Sequence, residues 1–242
     1  MRLSTILISL IFSTTMAHAA PVMVSYAWAF QPGAEPAVAD AMTKYYKTDN
    51  FKGTEGAIYI NQFQASASPI THSFAVFYEN PQNQEDTFDS LSSNPDYGPF
   101  VNKLASLGRP VATTYYSHVK SFGPSDASAR KWTAYSFNAQ NPALAVKAYD
   151  EWRSSTPGKA APGNSMLLAA RAGAPSGVTH IFVAFYESRG EYESWIESVS
   201  DTKEYKKFMT QLSRAGSNLG ASMGQSILAF GSTENVASFL ND

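Results

Sequence analysis

Acid–base or metal chemistry near neutral pH needs histidine, cysteine or a perturbed carboxylate, and this 242-residue chain has four histidines and no cysteine. Three of the histidines, His72, His118 and His180, lie beyond the N-terminal segment. Either ring nitrogen of histidine can act as base, acid or ligand. His72 and His180 sit in matched settings, Thr71-His72-Ser73-Phe74 and Thr179-His180-Ile181-Phe182. They are either a pair of related sites or Thr-His units that cap a strand edge and hydrogen-bond a loop. His118 has no counterpart, because Ser226 stands at its place. It is either the more specialised residue or a solvent-facing strand residue.

Other patterns carry less chemistry. Glu79 and Glu187 are matched carboxylates, which could do proton transfer, but each ends an apolar run before a loop, where hydrogen bonding to that loop is the plainer role. Gly220-Ala221-Ser222-Met223-Gly224 has the spacing of a nucleophile elbow. Such an elbow needs a strand before the serine and a helix after it, and here the order is helix, turn, strand. No H-E-x-x-H, phosphate-binding loop or G-x-G-x-x-G is present, and with no cysteine no metal site is expected.

The elements that must position these residues come twice. Thr71-His72-Ser73-Phe74-Ala75-Val76-Phe77-Tyr78-Glu79 recurs 108 residues later as Thr179-His180-Ile181-Phe182-Val183-Ala184-Phe185-Tyr186-Glu187. The same offset pairs Tyr97 with Tyr205, Phe100 with Phe208, Leu104 with Leu212 and Phe122-Gly123 with Phe230-Gly231. A fixed offset without a gap marks a fused pair of similar units. Period-two alternation predicts strands at 24–30, 57–64, 71–79 and 111–122, and again at 132–137, 166–172, 179–187 and 225–230. Val38, Met42, Tyr45 and Tyr46 make one helical stripe, and Leu144, Ala148 and Trp152 its counterpart. A second helix is expected from about residue 85 to 107, broken at Asn94-Pro95, and from 192 to 212, with a softer break near Ser200-Asp201. Each unit therefore reads β-α-β-β-α-β, the ferredoxin-like order. Its sheet has one face uncovered by helices, and the second copy is the natural cover.

The expected organisation is a signal peptide at 1–20, unit one at 21–123, a linker at 124–130, unit two at 131–231 and a tail at 232–242. Arg2, the apolar run from Ile6 to Met16 and the small-x-small Ala17-His18-Ala19 carry the leader reading. The run is too short and too broken by Ser and Thr to anchor in a membrane. The mature protein is expected in the periplasm or secreted, with no membrane insertion after cleavage and no disulfide. Loss of Arg2 from the 18 basic residues leaves 17 against 20 acidic ones. These charges are scattered, so no nucleic-acid partner is expected. Thirteen tyrosines exceed what a core requires, since each buried hydroxyl needs a partner. Some should line a cavity or an interface.

With its β-α-β-β-α-β order and its broken second helices, Ser90-Leu91-Ser92-Ser93-Asn94-Pro95-Asp96-Tyr97-Gly98-Pro99-Phe100 and Ser198-Val199-Ser200-Asp201-Thr202-Lys203-Glu204-Tyr205-Lys206-Lys207-Phe208, the chain resembles the dimeric α+β barrel superfamily. That group includes antibiotic-biosynthesis monooxygenase-like, EthD-like, stress-responsive A/B-barrel and NIPSNAP proteins. The resemblance covers nearly the whole mature chain. It implies two units packed sheet to sheet as one pseudo-twofold barrel, expected to be a monomer. It does not choose among oxygenases, isomerases, haem proteins and proteins without chemistry. No cofactor is expected. Haem stays open because tandem members include haem proteins, although the G-x-x-D-G signature of the dye-decolourising type is absent and no helix carries a histidine.

Differences between the copies point to a site more sharply than what they share. At the 108 offset, Tyr59, Asn61, Tyr115, Tyr116 and His118 face Leu167, Ala169, Met223, Gly224 and Ser226. A working cavity is therefore expected in unit one, with Trp28, Tyr59, Asn61, Tyr116 and, from the matched pair, His180 as ligand-contacting candidates, and His72 or His118 as candidate bases. Alternation puts Tyr116 and His118 on one face and Tyr115 on the other. Two functions compete: an exported protein binding a small, partly apolar or aromatic molecule, and a cofactor-independent monooxygenase- or isomerase-like enzyme with a histidine base. A third reading is an envelope protein that acts through its surface.

Overall fold

The computed structural model describes residues 20–48, 57–66, 68–123 and 130–231. The leader expected at 1–20 (save its last residue), most of the expected linker and the tail at 232–242 lie outside the described residues.

The first half runs β1 (Val22–Phe30), α1 (Glu35–Tyr46), β2 (Ile58–Ala65), β3 (His72–Tyr78), α2 (Pro81–Ser93), α3 (Tyr97–Leu107) and β4 (Gly108–Phe122). The second runs β5 (Lys131–Ala139), α4 (Pro142–Ser154), α5 (Thr156–Lys159), β6 (Asn164–Ala172), β7 (His180–Tyr186), α6 (Arg189–Ser200), α7 (Lys203–Ala215) and β8 (Gly216–Phe230). The helix breaks have local causes. Pro95 cannot continue the hydrogen-bond ladder, so α2 stops at Ser93. In the second half the Thr202 side chain accepts the Tyr205 N–H and starts α7 afresh. Asn80 and Pro81 start α2 four residues before the expected point, because Asn80 caps the Asn83 N–H at 3.0 Å.

Eight antiparallel strands close in the order β1-β3-β2-β8-β5-β7-β6-β4. Each half keeps the ferredoxin-like order, and the two sheets join along both edges, β2 to β8 and β4 to β6. The halves thus form one closed barrel, so among the described strands none is left as a free sheet edge. The outer face of the first half packs under α1 and α3: Phe30, Ile60 and Phe74 meet Val38, Met42 and Leu104. The inner faces of both halves meet in one cluster that includes Met23, Tyr59, Phe77, Tyr116, Trp132, Met166 and Val183.

The last strand is longer than expected. Gly216–Phe230 is strand throughout, not only from residue 225. Its start, Gly216-Ser217-Asn218-Leu219-Gly220, has weak β-propensity, and tertiary pairing with β5 overrides it. The G-x-S-x-G run lies inside this strand, so Ser222 is no nucleophile elbow. Gly108 and Gly216 share one task. Each stands where a helix passes directly into a strand, and a Cβ there would collide with the carbonyl of Ala29 or Asn138 on the neighbouring strand.

The repeat also slips by one residue. Tyr59 pairs with Ala75, and the counterpart of Ala75, Val183, pairs with Met166 rather than Leu167. Likewise Asn61 pairs with Ser73, and Ile181 pairs with Leu168. The true counterparts of Tyr59 and Asn61 are therefore Met166 and Leu168, not Leu167 and Ala169. A one-residue slip reverses the face of every side chain, so the offset comparison set inward residues against outward ones on this strand.

The matched Thr-His pairs are part of the frame. Thr71 Oγ1 accepts the Phe30 N–H at 2.9 Å and lies 3.3 Å from the Trp28 carbonyl, and His72 Nδ1 is 3.0 Å away. Thr179 does the same for Ala139, Phe137 and His180. Both latches hold the ends of strands whose registers shift, at Ala27/Trp28 and at Ser136/Phe137. Thr71→Val strands a backbone N–H and should cost about 1–3 kcal/mol of unfolding free energy. Urea denaturation of T71V and T179V checks this, and the two should cost similar amounts.

Candidate functional site

Alternation along each strand aims a second set of side chains into the barrel, where they surround a cavity of about 590 Å³. Met23, Tyr59, Phe77, Trp132, Met166 and Phe185 line it from the strands. Because the strands alternate in direction around the barrel, the β2–β3 and β6–β7 loops fall at the same end. Ser66, Ser68 and Ile70 from one loop and Pro175, Ser176 and Val178 from the other line the cavity there.

The lining is mostly apolar, with Ser25, Thr114, Ser136, Asn164 and Ser222 among its polar members and one hydrogen-bonded cluster. The Ser226 hydroxyl donates to Asn61 Oδ1 at 2.7 Å, and Asn61 Nδ2 reaches Ser73 Oγ only at 3.5 Å. The carboxamide therefore keeps N–H capacity for a further acceptor. This cluster draws on β2, β3 and β8, so both halves build it. Its counterparts on the other side are Leu168, Ile181 and His118. Of these three only Ile181 lines the cavity, so the hydrogen-bonded cluster has no equivalent in the other half.

A second asymmetry sets its shape. Tyr116 stands where the second half has Gly224, and Met23 where it has Trp132. Large and small exchange places. A Cβ at Gly224 would lie 2.6 Å from Trp132 Cζ2 and would also meet the Gln62 carbonyl. Trp132 occupies the space that glycine leaves and meets Phe63 edge-on at 4.9 Å.

No Asp, Glu, Lys, Arg or His lines this cavity among the described residues. Its titratable side chains are Tyr59 and Tyr116. Burial pushes the Tyr59 phenol up, with Arg130 partly offsetting it. Burial likewise pushes Tyr116 up, with a hydrogen bond from Thr114 partly offsetting it. Both stay protonated at neutral pH, so the cavity wall carries no charge.

Of the residues singled out in the sequence, Tyr59, Asn61 and Tyr116 meet in this cavity. Trp28 does not: it stacks on Phe30 at 5.3 Å in the layer beneath the helices. His72 lies on that same outward face, 1% exposed, with its ring edge-on to Phe30 at 5.4 Å. His180 holds the equivalent place, and neither lines the barrel cavity. His118 is buried, with Nε2 2.8 Å from Ser121 Oγ, also away from the cavity lining. Ser73, Trp132 and Met166 line it without having been singled out, and so do Ser222, read only as part of the G-x-S-x-G run, and Ser226, read only as the counterpart of His118. The signal for Ser73 was available: it alternates with His72 and Phe74, on the face of Ala75 and Phe77.

The outward histidines have a pH signature. Burial holds His72 below its ordinary value of 6.5, with Glu35 partly offsetting. Burial also holds His180 down, and Arg171 adds to the effect. As pH falls below 6.5, the unfolded chain takes up protons that the folded chain refuses. Stability should fall with pH there, by up to about 1.4 kcal/mol per pH unit for each histidine until its folded pKa is reached. Denaturation midpoints from pH 7.5 to 5 check this, and His180→Asn should flatten the decline.

Among the described residues, no group of three or more His, Cys, Asp or Glu side chains is placed to hold a metal ion. A haem iron in the barrel would need an axial ligand such as histidine, methionine or a phenolate facing the cavity. Among the described residues no histidine lines it, so a histidine-held haem does not fit there, while Met23, Met166 and the phenols of Tyr59 and Tyr116 do line it.

No family model matches the chain, and no curated protein matches its sequence. Solved structures match over most of its length. An anthrone oxidase-like protein aligns with a TM-score of 0.57 at 12% identity, covering 87% of this chain and 92% of that one. A candidate monooxygenase from Fusobacterium nucleatum aligns at 0.61 and 12% identity, covering 88% and 95%. A variant chlorite dismutase from Candidatus Nitrospira defluvii, in complex with cyanide, aligns at 0.51 and 10% identity, covering 91% and 95%. The chain has the dimeric α+β barrel fold, with both halves of the barrel supplied by one polypeptide. At these identities the likeness speaks to the fold.

Proposed function

We propose that this protein is exported and that, as a monomer, it binds one small uncharged molecule in the barrel cavity. The ligand is largely aromatic or apolar and carries one hydrogen-bond acceptor. The observation that supports this most is the pairing of a roomy, uncharged, mostly apolar cavity with the hydrogen-bonded cluster of Asn61, Ser73 and Ser226. An apolar pocket with few placed polar groups is the usual form of a small-molecule site. A charged ligand would lose its hydration with no countercharge to meet it. Closure of both sheet edges within one chain supports the monomer, and the apolar run with its small-x-small ending supports export.

Fluorescence titration with neutral N-phenyl-1-naphthylamine and anionic naphthalene sulfonate tests the reading. The neutral probe should bind in the micromolar range and the sulfonate should not. Equal binding of both would contradict it.

The second reading is a cofactor-independent oxygenase. It draws on the fold shared with an anthrone oxidase-like protein and on the Asn61 amide as a donor to a developing oxyanion. The absence of any base along the described lining weighs toward the binding protein. Oxygen uptake in the presence of a bound phenolic compound would reverse that order.

A further inference from the structure

A second, smaller cavity of about 240 Å³ lies beside the first, on the other side of the β2–β3 loop. It is lined by Glu35 at the start of α1, by Gln62 and Gln64 on β2, by Ser66 and Ser68 in the loop, and by Thr71 and His72. It differs from the barrel in carrying an acidic group, Glu35, and an imidazole, His72, beside Phe63, Ala65 and Ile70; Gln64 at its edge accepts a hydrogen bond from Arg189.

His72 makes this more than a dent between loop and helix. Thr71 Oγ1 already takes the Phe30 N–H and has one proton to give, which the Trp28 carbonyl takes. All three contacts of the hydroxyl are satisfied together when His72 Nδ1–H donates the remaining one, at 3.0 Å. A neutral ring protonated at Nδ1 presents a bare lone pair at Nε2. That nitrogen is buried and has no hydrogen-bond partner, and the side chain is 1% exposed. An unmet acceptor in a buried place costs free energy unless something fills the role.

The second half carries the same Thr-His latch without the rest. The counterpart of Glu35 is Pro142, that of Gln62 is Ala169 and that of Gln64 is Arg171. The latch belongs to the fold, and the acidic surroundings were added in one half only. Where His180 has a guanidinium nearby, His72 has a carboxylate.

We propose that this second cavity binds a small organic cation, a primary ammonium group whose N–H donors are met by His72 Nε2 and the Glu35 carboxylate. The donor set fits an ammonium group, with one carboxylate and one neutral imidazole in the lining, whereas a divalent metal ion would have only these two side chains to bind it. The Ser66 and Ser68 walls are shared with the mouth of the barrel cavity, so occupancy of one site bears on the loop that lines the other. This inference does not depend on what the barrel binds.

The test is a titration of the full mature protein with n-butylammonium chloride, read by the imidazole nitrogen resonances. n-Butanol and zinc chloride run as separate arms. The expected result is a shift of the His72 Nε2 resonance at millimolar butylammonium, with His118 and His180 unmoved and no response to butanol. Glu35→Gln should weaken the response by on the order of tenfold while leaving the fold and the binding of the neutral naphthyl probe unchanged. A flat His72 signal, an equal response to butanol, a response to zinc alone or an unchanged response in E35Q would each overturn the proposal.

Discussion

Replacing Trp132 by alanine should destabilise the protein by about 3–5 kcal/mol, the largest loss expected from any single truncation inside the barrel. The indole is 5% exposed, meets Phe63 edge-on and fills the space above Gly224. Cutting it back leaves a void between two strands that both bond to β8 or its neighbours, so collapse is restricted. Gly224→Ala approaches the same contact from the other side. Its methyl group must displace Trp132 and the Gln62 carbonyl, at about 1–3 kcal/mol. The two changes share a partner and should not add. In the double variant the indole contact is gone and the backbone contact remains, so the combined loss should fall short of the sum. Urea denaturation with unchanged slopes measures all three. A loss below about 1 kcal/mol for Trp132→Ala would show that the exchange of large and small residues between the halves is incidental.

The second large effect is on binding. Ala134 lies on β5 in the cavity wall, packed against the inner cluster. Ala134→Trp places an indole in the space assigned to the ligand. Uptake of the neutral naphthyl probe should fall at least about 100-fold, equivalent to roughly 2.7 kcal/mol. Stability should hold or rise, because the added ring buries apolar surface in an existing cavity. That pairing separates a blocked site from a damaged fold. Asn61→Leu should act more gently, removing one donor and lowering affinity for a carbonyl-bearing ligand by on the order of tenfold. Unchanged probe binding in A134W would mean that the probe binds elsewhere.

The fold was legible in the sequence because it is written twice. The offset of 108 residues, the alternation in residues 71–79 and the proline at Pro95 gave the element order and the need for a second sheet to cover the first. The early part of β8 was not legible, since glycine, serine and asparagine carry no strand pattern and only pairing with β5 makes them one. The candidate site was half legible. Tyr59, Asn61 and Tyr116 could be read as inward residues, yet His72 and Trp28 were grouped with them although alternation sets His72 opposite Ala75. The slip of one residue before β6 was invisible because no fixed offset can register it, and it hid Met166 and Leu168 as the true counterparts. Trp132 was missed for a related reason. Its partner position is Met23, at an offset of 109, where no shared residue type draws attention.

The central claim is that the barrel holds a small uncharged molecule. Native mass spectrometry of the mature protein, purified without added ligand from the cells that make it, tests this most directly. The predicted spectrum shows a fraction carrying one neutral organic adduct that collisional activation releases, and the A134W variant shows none. A bare protein mass that also fails to take up the neutral probe would contradict it, as would an adduct that A134W retains.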